Sequence, residues 1–274
     1  MTLVNNKSLA RKIEAIKSRG TKEYIIKHKE MNPAANMDYL TLQGKGEVFC
    51  TGNVCFGIGF GLNGVLVEND LNVIEDFIRK RKEVAHAEFE LTPFCDPLLL
   101  AQLQERNYTF DHFLAVWVVE LENWQPKENR LKDEAVTVAE VSGEETYEWA
   151  WTVALGISRD NTVTEEMMES TRTFLEVSNT AGFLLKANGE SIAGATIAID
   201  GKLGELFLTS TVKAFRGRGF QNLLIEERLR YAKEKGCSHV TVTTQPDTVS
   251  ARNMERNGFK LMYNKAVVKS PRIH

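Results

Sequence analysis

The residues with the clearest chemical potential form the run Arg216-Gly217-Arg218-Gly219, which follows a strand-like segment and precedes a helix-like one. Glycine allows the backbone to turn tightly and to approach a ligand closely. The unpaired N–H groups in the first turn of a helix, aided by the helix dipole, favour a bound anion. The two arginines add positive charge. The local pattern therefore predicts either a pyrophosphate-binding loop without a Walker lysine or a plain strand-to-helix turn.

Other sequence patterns that could do chemistry are missing. The series Gly57, Gly59 and Gly61 lacks the spacing of a phosphate loop, so we interpret these glycines as packed or bulged strand positions. No His-x-x-x-His pair suggests zinc, and no Gly-x-Ser-x-Gly run suggests a hydrolase. We therefore expect no metal cofactor.

The composition is that of a globular protein, because 43% of the 274 residues are hydrophobic and 26% are charged. The net charge of -3 and the pI of about 6.0 argue against a nucleic-acid partner. The sequence contains no run of about 18 apolar residues, which a membrane-spanning helix would need. The N-terminal residues lack the apolar core of a signal peptide. We therefore expect a cytoplasmic protein without a membrane partner.

The number and spacing of the cysteines also favour a cytoplasmic location. Four of them in a chain of this length do not predict a disulfide framework, and a reduced environment is the default expectation. Cys50 and Cys55 are five residues apart, which would put them on opposite faces of one strand. They therefore do not suggest a metal-binding pair.

The elements that would position the loop divide the chain into two halves. The first half begins with a helix predicted over Ser8–Arg19 and continues with strands, a helix, a strand, a helix and a strand. The polar segment Trp124–Glu134 is interpreted as a linker. The second half reads as a strand, two helices, three antiparallel strands, a helix, a strand, a helix and a strand, with a hairpin turn at Asn188-Gly189. We expect two domains, residues 1–130 and 131–274.

The loop, with a long following helix, a strand and the run Asn257-Gly258-Phe259, resembles the GCN5-related N-acetyltransferase (GNAT) superfamily. The family signature is Gln/Arg-x-x-Gly-x-Gly/Ala, and Arg216 to Gln221 match it except that Gln221 stands where the family has glycine or alanine. The resemblance covers residues 134–269 and is closest to a branch with two tandem domains. The first half matches in outline only and lacks the loop, so it looks like a degenerate copy that would support the second half or shape its acceptor site.

The resemblance implies an α+β fold (α/β in some schemes) of two GNAT-like domains, each a mixed, mostly antiparallel sheet flanked by helices. It also implies acetyl-CoA as co-substrate. Thr211 and Val212 would lie nearest the acetyl carbonyl, Asn253 would contact the pantetheine or the thioester, and the loop amides would hold the pyrophosphate. The cofactor-binding residues implied in this way are Thr209, Ser210, Thr211, Val212, Arg216, Gly217, Arg218, Gly219, Phe220, Gln221, Thr244, Gln245, Ser250, Asn253 and Arg256.

Acetyl transfer to an amine needs a base for the attacking nitrogen and an acid for the departing thiolate. Glu205 is our candidate base, since it lies six residues before Thr211, on the same strand face by period two, where some family members carry a glutamate. An exposed strand glutamate is the alternative interpretation. The position of the usual family tyrosine is held by Met254, which cannot donate a proton. Another group must protonate the thiolate, or it leaves unassisted.

The acceptor would lie against the two helices after the first strand of the second half. Trp151 and Asp160 are the candidate acceptor residues there, although core packing is an alternative for Trp151 and its helix neighbour Tyr147, and a solvated loop role for Asp160. We expect an N-acetyltransferase that modifies the primary amine of a small-molecule or amino-acid-like acceptor. A protein that binds or senses acyl-CoA without turnover is the alternative, and a homodimer is left open.

Overall fold

The computed structural model describes residues 6–81, 83–126 and 135–272, which form two compact units. The first unit comprises Met1–Val116, Thr244–Pro246 and Leu261–His274, and the second comprises Trp117–Thr243 and Asp247–Lys260. The predicted domain boundary at residue 130 falls outside the described residues and stays a prediction. Within the described residues, no helix is both long enough and apolar enough to cross a membrane.

The helices and strands are numbered along the chain. They are α1 (Lys7–Met31), β1 (Met37–Leu42), β2 (Gly46–Thr51), β3 (Val54–Ile58), α2 (Glu68–Arg79), β4 (Ala87–Leu91), α3 (Pro97–Glu105), β5 (Thr109–Glu120), β6 (Val136–Glu140), α4 (Glu145–Ile157), α5 (Glu165–Thr173), β7 (Thr180–Ala187), β8 (Glu190–Asp200), β9 (Leu203–Thr211), α6 (Phe220–Glu234), β10 (His239–Thr244), α7 (Val249–Arg256) and β11 (Lys260–Lys269).

In the first unit the strands lie in the order β1-β2-β3-β4-β11-β5, with β5 contributing its residues up to Val116. The hairpins β1–β2 and β2–β3 are antiparallel, whereas β3 runs parallel to β4. The last strand, β11, pairs antiparallel with β4 from Ala266 opposite Leu91 to Lys269 opposite Glu88. The order of elements along the sequence does not predict that the final strand completes the sheet of the first unit.

Two elements of this unit differ from the sequence prediction. The helix α1 continues to Met31 rather than ending at Arg19, because Gly20 is accommodated within it and Tyr24 and Ile25 extend its buried face. A helical glycine costs only about 1 kcal/mol relative to alanine, which this burial offsets. The sequence predicts the first strands only from Gly46 onward, so the edge strand β1 is an additional one. It is half-buried along most of its length, and its sequence lacks the clear apolar–polar alternation that predicts a strand.

A disulfide joins Cys50 to Cys55, and both side chains are fully buried. The prediction that the two lie on opposite faces of one strand is wrong, because the chain turns back between them. Cys50 is the penultimate residue of β2 and Cys55 is the second residue of β3, and the two are direct cross-strand partners with 4.1 Å between their Cα atoms. The five-residue spacing is therefore that of a tight hairpin.

A buried cluster of charges lies inside the first unit. The ammonium of Lys265 contacts Glu14 Oε2 at 2.8 Å and Glu90 Oε2 at 2.9 Å, and Lys17 Nζ lies 2.6 Å from Glu90 Oε1. The hydroxyl of Tyr263 donates to Glu14 Oε1 at 3.0 Å. Burial would raise the pKa of Glu90, but the two ammonium groups outweigh it and lower the pKa to about 2. The cluster is thus charge-balanced, with two carboxylates facing two lysines.

In the second unit the strands lie in the order β5-β10-β9-β8-β7-β6, where β5 contributes the residues from Trp117 onward. The strands β6 to β9 form antiparallel hairpins, and β9 runs parallel to β10. Strand β8 is buried on both faces because helices cover both. Gly194 faces Trp149 and Val153 of α4, whereas Phe183 of β7 stacks edge-on against a tyrosine of α6 on the other face.

Candidate active site

The parallel pairing of β9 with β10 ends before either strand does. Among the described residues it runs from Leu203 opposite His239 to Leu206 opposite Val242, and β9 continues for five further residues to Thr211. The two strands therefore diverge and leave a gap along the second half of β9. The gap begins where the residues after Val242 leave the pairing with β9.

A β-bulge interrupts β9 at the same point. Gly194 lies opposite Ser210 and Thr196 opposite Phe207, so β9 has one more residue than β8 across this interval. Leu208, inside the bulge, has a φ of 43°, which is a left-handed conformation that only glycine adopts without strain. The extra residue reverses which face the following side chains point to.

The bulge changes the position expected for Glu205. A count by period two puts Glu205 and Thr211 on one face, but the observed register pairs Glu205 with Ala198 and Thr211 with Ala193, and Ala198 and Ala193 lie on opposite faces of β8. The prediction of a shared face is therefore wrong. Glu205 shares its face instead with Ser210, whose hydroxyl donates to Val153 O of α4 at 2.9 Å. The candidate base thus lies on the side of the sheet that α4 covers.

The strand end offers backbone groups to the gap. The N–H of Val212 donates to Ile192 O at 2.9 Å, so it faces β8. The N–H and C=O of the preceding residue point the other way along a strand. Accordingly the C=O of Thr211 is turned from β8, where it accepts from Arg216 Nε at 3.0 Å. The N–H of Thr211 points in the same direction and is the one able to meet a thioester carbonyl in the gap.

The loop after β9 is a short 3₁₀ turn, Lys213–Phe215, followed by two glycines in left-handed conformations. Gly217 has a φ of 81° and Gly219 a φ of 87°, and Gly219 is the N-cap residue of α6. A Cβ on either glycine would meet no atom within 4 Å. Backbone conformation, and not crowding, is therefore what requires glycine here, and the space beside the loop is open to a ligand.

Two arginines of the loop have different environments. Arg216 is held by carbonyl groups, since its Nη2 donates to Gly156 O at 2.6 Å in addition to the Thr211 contact. It therefore ties the loop to the end of α4. The guanidinium of Arg218 lies over the Phe215 ring, 5.3 Å from its centroid, and the residue is exposed. Arg216 is exposed as well, so both arginines bring positive charge to the solvent side of the loop.

The first turn of α6 contains no acidic residue, so its unpaired N–H groups and the helix dipole present a positive potential to the loop. The departure from the family signature at Gln221 has a structural explanation. Gln221 Oε1 accepts from Asn253 Nδ2 at 2.7 Å, and Asn222 Oδ1 accepts from Asn257 Nδ2 at 2.9 Å. The side chain thus joins α6 to α7 where a glycine or alanine could not.

The remaining predicted cofactor residues lie in and around α7 and β10. Asn253 is buried and accepts from Arg256 Nη1 at 3.3 Å, whereas Arg256 itself is exposed. Ser250 is half-buried in the first turn of α7. Thr244 is buried and Gln245 exposed, and both group with the first unit. Met254 is buried in α7, so a thioether stands at the position of the family tyrosine.

The candidate acceptor residues lie on α4 and the loop after it. Trp149 is fully buried and donates through Nε1 to Ala195 O at 3.4 Å. Tyr147 is 60% exposed and Trp151 44% exposed, so the alternative interpretation, in which these two pack in the core, is wrong. Both fall on the outer side of α4. Asp160 Oδ1 accepts from the N–H of Thr162 and from the Ser158 hydroxyl, and these bonds, the first above all, lower the pKa of its carboxyl group.

The first unit has a comparable strand–loop–helix arrangement with different chemistry at the helix start. β3 runs parallel to β4 as β9 does to β10, and α2 follows β3. The N–H of Val67, the N-cap residue of α2, is bonded to Asp70 Oδ2 at 2.9 Å, and Lys45 Nζ lies 2.7 Å from the same oxygen. Glu68 adds a second carboxylate to this turn. A carboxylate of the chain thus already takes the position that a phosphate would need.

Comparison with known proteins agrees with this geometry. The model of the acetyltransferase (GNAT) family matches residues 143–259, which include β9, the loop, α6 and α7. No curated protein sequence matches the chain. A GCN5-related N-acetyltransferase from Kribbella flavida has 16% identity and a TM-score of 0.63, with 96% of either chain covered. A GCN5-related N-acetyltransferase from Sphaerobacter thermophilus has 11% identity and a TM-score of 0.60, covering 99% of this chain and 95% of that one.

A tandem GNAT protein from the clavulanic acid biosynthesis pathway has 11% identity and a TM-score of 0.65, covering 98% of this chain and 96% of its own. At such identities these likenesses show the fold, which confirms the predicted α+β class with mixed sheets flanked by helices. The family match adds the acyltransferase chemistry of the loop-bearing segment. Residues 143–259, the segment that carries the loop, are thus similar to the acetyltransferase (GNAT) family.

Proposed function

We propose that the protein is an acetyl-CoA-dependent N-acetyltransferase that acts on a primary amine of a small-molecule or amino-acid-like acceptor. The observation that carries the proposal is the continuous path from the gap between β9 and β10 to the glycine loop at the start of α6. That path joins a strand edge, from which the Thr211 N–H points into the gap, to an anion-binding helix start. A pantetheine arm with a pyrophosphate at one end needs both.

The cofactor contacts follow from the same path. In this proposal the amides of the loop and of the first turn of α6 hold the pyrophosphate, and the exposed Arg218 adds positive charge beside it. The backbone of Thr209 to Val212 binds the pantetheine as an added strand would. The side chains of Ser210 and Arg216 hold the site together rather than touch the ligand, because both are engaged by carbonyls of the protein.

The reaction would proceed by direct attack. The neutral amine nitrogen forms a bond to the thioester carbon, its surplus proton passes to a base, and the C–S bond breaks to release the thiolate of CoA. We propose Glu205 as the base, acting directly or through one water. Because Met254 cannot supply a proton, the thiolate leaves unassisted or takes its proton from another group.

The acceptor would approach from the side of the sheet covered by α4 and α5, where Glu205 also lies. Trp151 offers an exposed indole face, which attracts an ammonium-bearing molecule through cation–π interaction. Asp160 accepts hydrogen bonds from its own loop through Oδ1, so its contribution would be the negative charge rather than a direct bond.

A homodimer and a cytoplasmic location also belong to the proposal. The buried Cys50–Cys55 disulfide is the feature that weighs against a reducing compartment.

A titration of thermal stability with acetyl-CoA tests the proposal. A ligand that binds only the folded state at about 100 times its Kd stabilises it by roughly 2.7 kcal/mol. The expected result is a saturable rise in Tm with acetyl-CoA and with CoA, and no rise with adenosine alone. No shift with acetyl-CoA would contradict both the enzyme and the acyl-CoA sensor.

Release of free thiol with a panel of amines then separates the enzyme from the sensor. We expect release above the hydrolytic background with at least one primary amine, and none with the matching N-acetylated compound. Saturable binding with background release for every amine tested would favour the sensor. The panel should include polyamines, aminosugars, amino acids and a peptide with a free N-terminus.

A further inference from the structure

Arg228 is a cation in the apolar interior of the second unit. It lies on α6, and only 1% of its surface is exposed. Its Nε donates to Leu224 O at 2.9 Å, and its Nη1 donates to Thr196 O of β8 at 2.9 Å and to Thr209 Oγ1 of β9 at 3.0 Å. The guanidinium therefore bridges the helix to two adjacent strands of the sheet.

Among the residues that the structure describes, no carboxylate forms an ion pair with this charge. Burial lowers the pKa of Arg228 to about 9, and no charged neighbour among the described residues contributes to that shift. The side chain is thus still cationic at neutral pH while removed from water. A buried, unpaired charge is costly, and an apolar side chain of similar volume would fill the same space more favourably. Its presence calls for a role that packing alone does not supply.

The hydrogen bonds of Arg228 converge on the β-bulge of β9. A bulge leaves backbone groups without partners in the ladder, and here those acceptors are met by side chains. Arg228 Nη1 donates to Thr196 O, and the hydroxyl of Thr196 donates to Phe207 O at 2.7 Å. Between these contacts lies Leu208, held at a positive φ that a non-glycine residue resists.

We propose that Arg228 is a positioning residue that holds the β9 bulge and thereby directs Thr209 to Val212 toward the thioester. The inference rests on the proposed function in one respect, namely that the thioester binds beside this strand end. The bulge itself is independent of any ligand. Without the guanidinium, Thr196 O and Thr209 Oγ1 lose a shared donor, and the strand can relax toward a regular ladder that turns Thr211 away from the gap.

The test compares Arg228→Met, which removes the donors but keeps most of the volume, with Leu229→Ala as a control. Leu229 is fully buried on the same helix, and no hydrogen bond of its side chain reaches the bulge. Hydrogen exchange of the Val212 amide, which is bonded to Ile192 O, reports on the strand end in the free protein. Steady-state kinetics with acetyl-CoA reports on the thioester.

We expect the Val212 amide of Arg228→Met to exchange at least about tenfold faster than in the wild type, while amides within β7 exchange at unchanged rates. We expect kcat to fall about tenfold or more, because a small displacement of the reacting atoms is enough for such a loss. In Leu229→Ala the overall stability falls, but the exchange of Val212 relative to β7 and the value of kcat stay near those of the wild type.

Arg228→Lys is the second variant, used if Arg228→Met does not fold. One ammonium keeps the charge but cannot bridge three acceptors as the planar fork does, so we expect the same selective gain in exchange. A folded Arg228→Met or Arg228→Lys with wild-type exchange at Val212 and wild-type kcat would overturn the inference. If the wild-type protein does not bind acetyl-CoA, the proposed function fails, whereas the exchange measurement still decides whether Arg228 holds the bulge.

Discussion

Replacement of Gly219 by glutamate is the sharpest test of the anion site at the start of α6. Gly219 is the N-cap residue of α6 with a φ of 87°, and a Cβ there would point into space free of other atoms within 4 Å. A glutamate at this position would place a carboxylate beside the site where the pyrophosphate would bind. We therefore expect the affinity for CoA to fall steeply.

The loss has two parts that can be separated. An L-residue held in the left-handed region costs about 1–2 kcal/mol. This cost weakens binding if the free loop relaxes out of that conformation and has to return to it in the complex. A negative charge about 5 Å from a phosphate, at an effective dielectric constant of about 20, adds roughly 3 kcal/mol of repulsion. The second part corresponds to about a 150-fold rise in Kd, and added salt should reduce it.

Isothermal titration calorimetry with CoA measures both parts when three variants are compared. Gly219→Gln carries the strain and the bulk without the charge, so the ratio of the Kd values of Gly219→Glu and Gly219→Gln isolates the repulsion. Gly201→Glu is the matched control, since Gly201 has a φ of 57° in an exposed turn and also has no neighbour within 4 Å of a Cβ. Equal Kd values for Gly219→Glu and Gly219→Gln would refute a bound anion at this helix start.

Three further predictions concern other residues. Glu205→Gln should lower the turnover rate about 10- to 100-fold at neutral pH and less at high pH, where free amine is abundant; a pH–rate profile parallel to that of the wild type would remove Glu205 as the base. Asn253→Ala should cost about 0.5–1.5 kcal/mol in denaturant unfolding, because it removes the hydrogen bond from Asn253 Nδ2 to Oε1 of the half-buried Gln221, and an unchanged midpoint would contradict that reading. In wild type, the fall in the pKa of Glu90 from 4.5 to about 2 represents roughly 3 kcal/mol of folding stability. Since the folded-state pKa is lowered, this contribution is present above pH 4.5 and is lost as the pH falls toward 2. Urea titrations should therefore show Glu90→Gln to be less stable than wild type near neutral pH and similar to it near pH 2. A stability difference that stays constant with pH would contradict the assignment.

The parts of the site that were predictable from the sequence are those that depend on local conformation. Two glycines between a strand and a helix signal a tight turn at an anion-binding helix start, and both adopt the positive φ that such a turn requires. The Asn188-Gly189 pair likewise forms its hairpin with φ values of 51° and 83°. In each case the residue type restricts the backbone without help from distant contacts.

The parts that were not predictable depend on partners far along the chain. The face of Glu205 follows from one extra residue in β9, and nothing in the types of Phe207, Leu208 and Thr209 marks a bulge. The Cys50–Cys55 bond depends on a hairpin turn rather than on the spacing of the two cysteines. The exposure of Tyr147 and Trp151 depends on which face of α4 meets the sheet, and aromatic residues at helical spacing favour either face.

The pairing of β11 with β4 has a consequence for the order of events during synthesis. The first unit contains Lys265 and Val267 among its buried residues, so the chain emerging up to residue 130 lacks both a strand and the partner of two buried carboxylates. At about 5–20 residues per second, the remaining residues take roughly 7–30 s to be added. During that interval the edge of β4 that awaits β11 is an open template for strand pairing with other chains. We expect a fragment ending near residue 130 to aggregate when expressed alone, and to be rescued by supplying residues 260–272 in trans or by fusing them after β5.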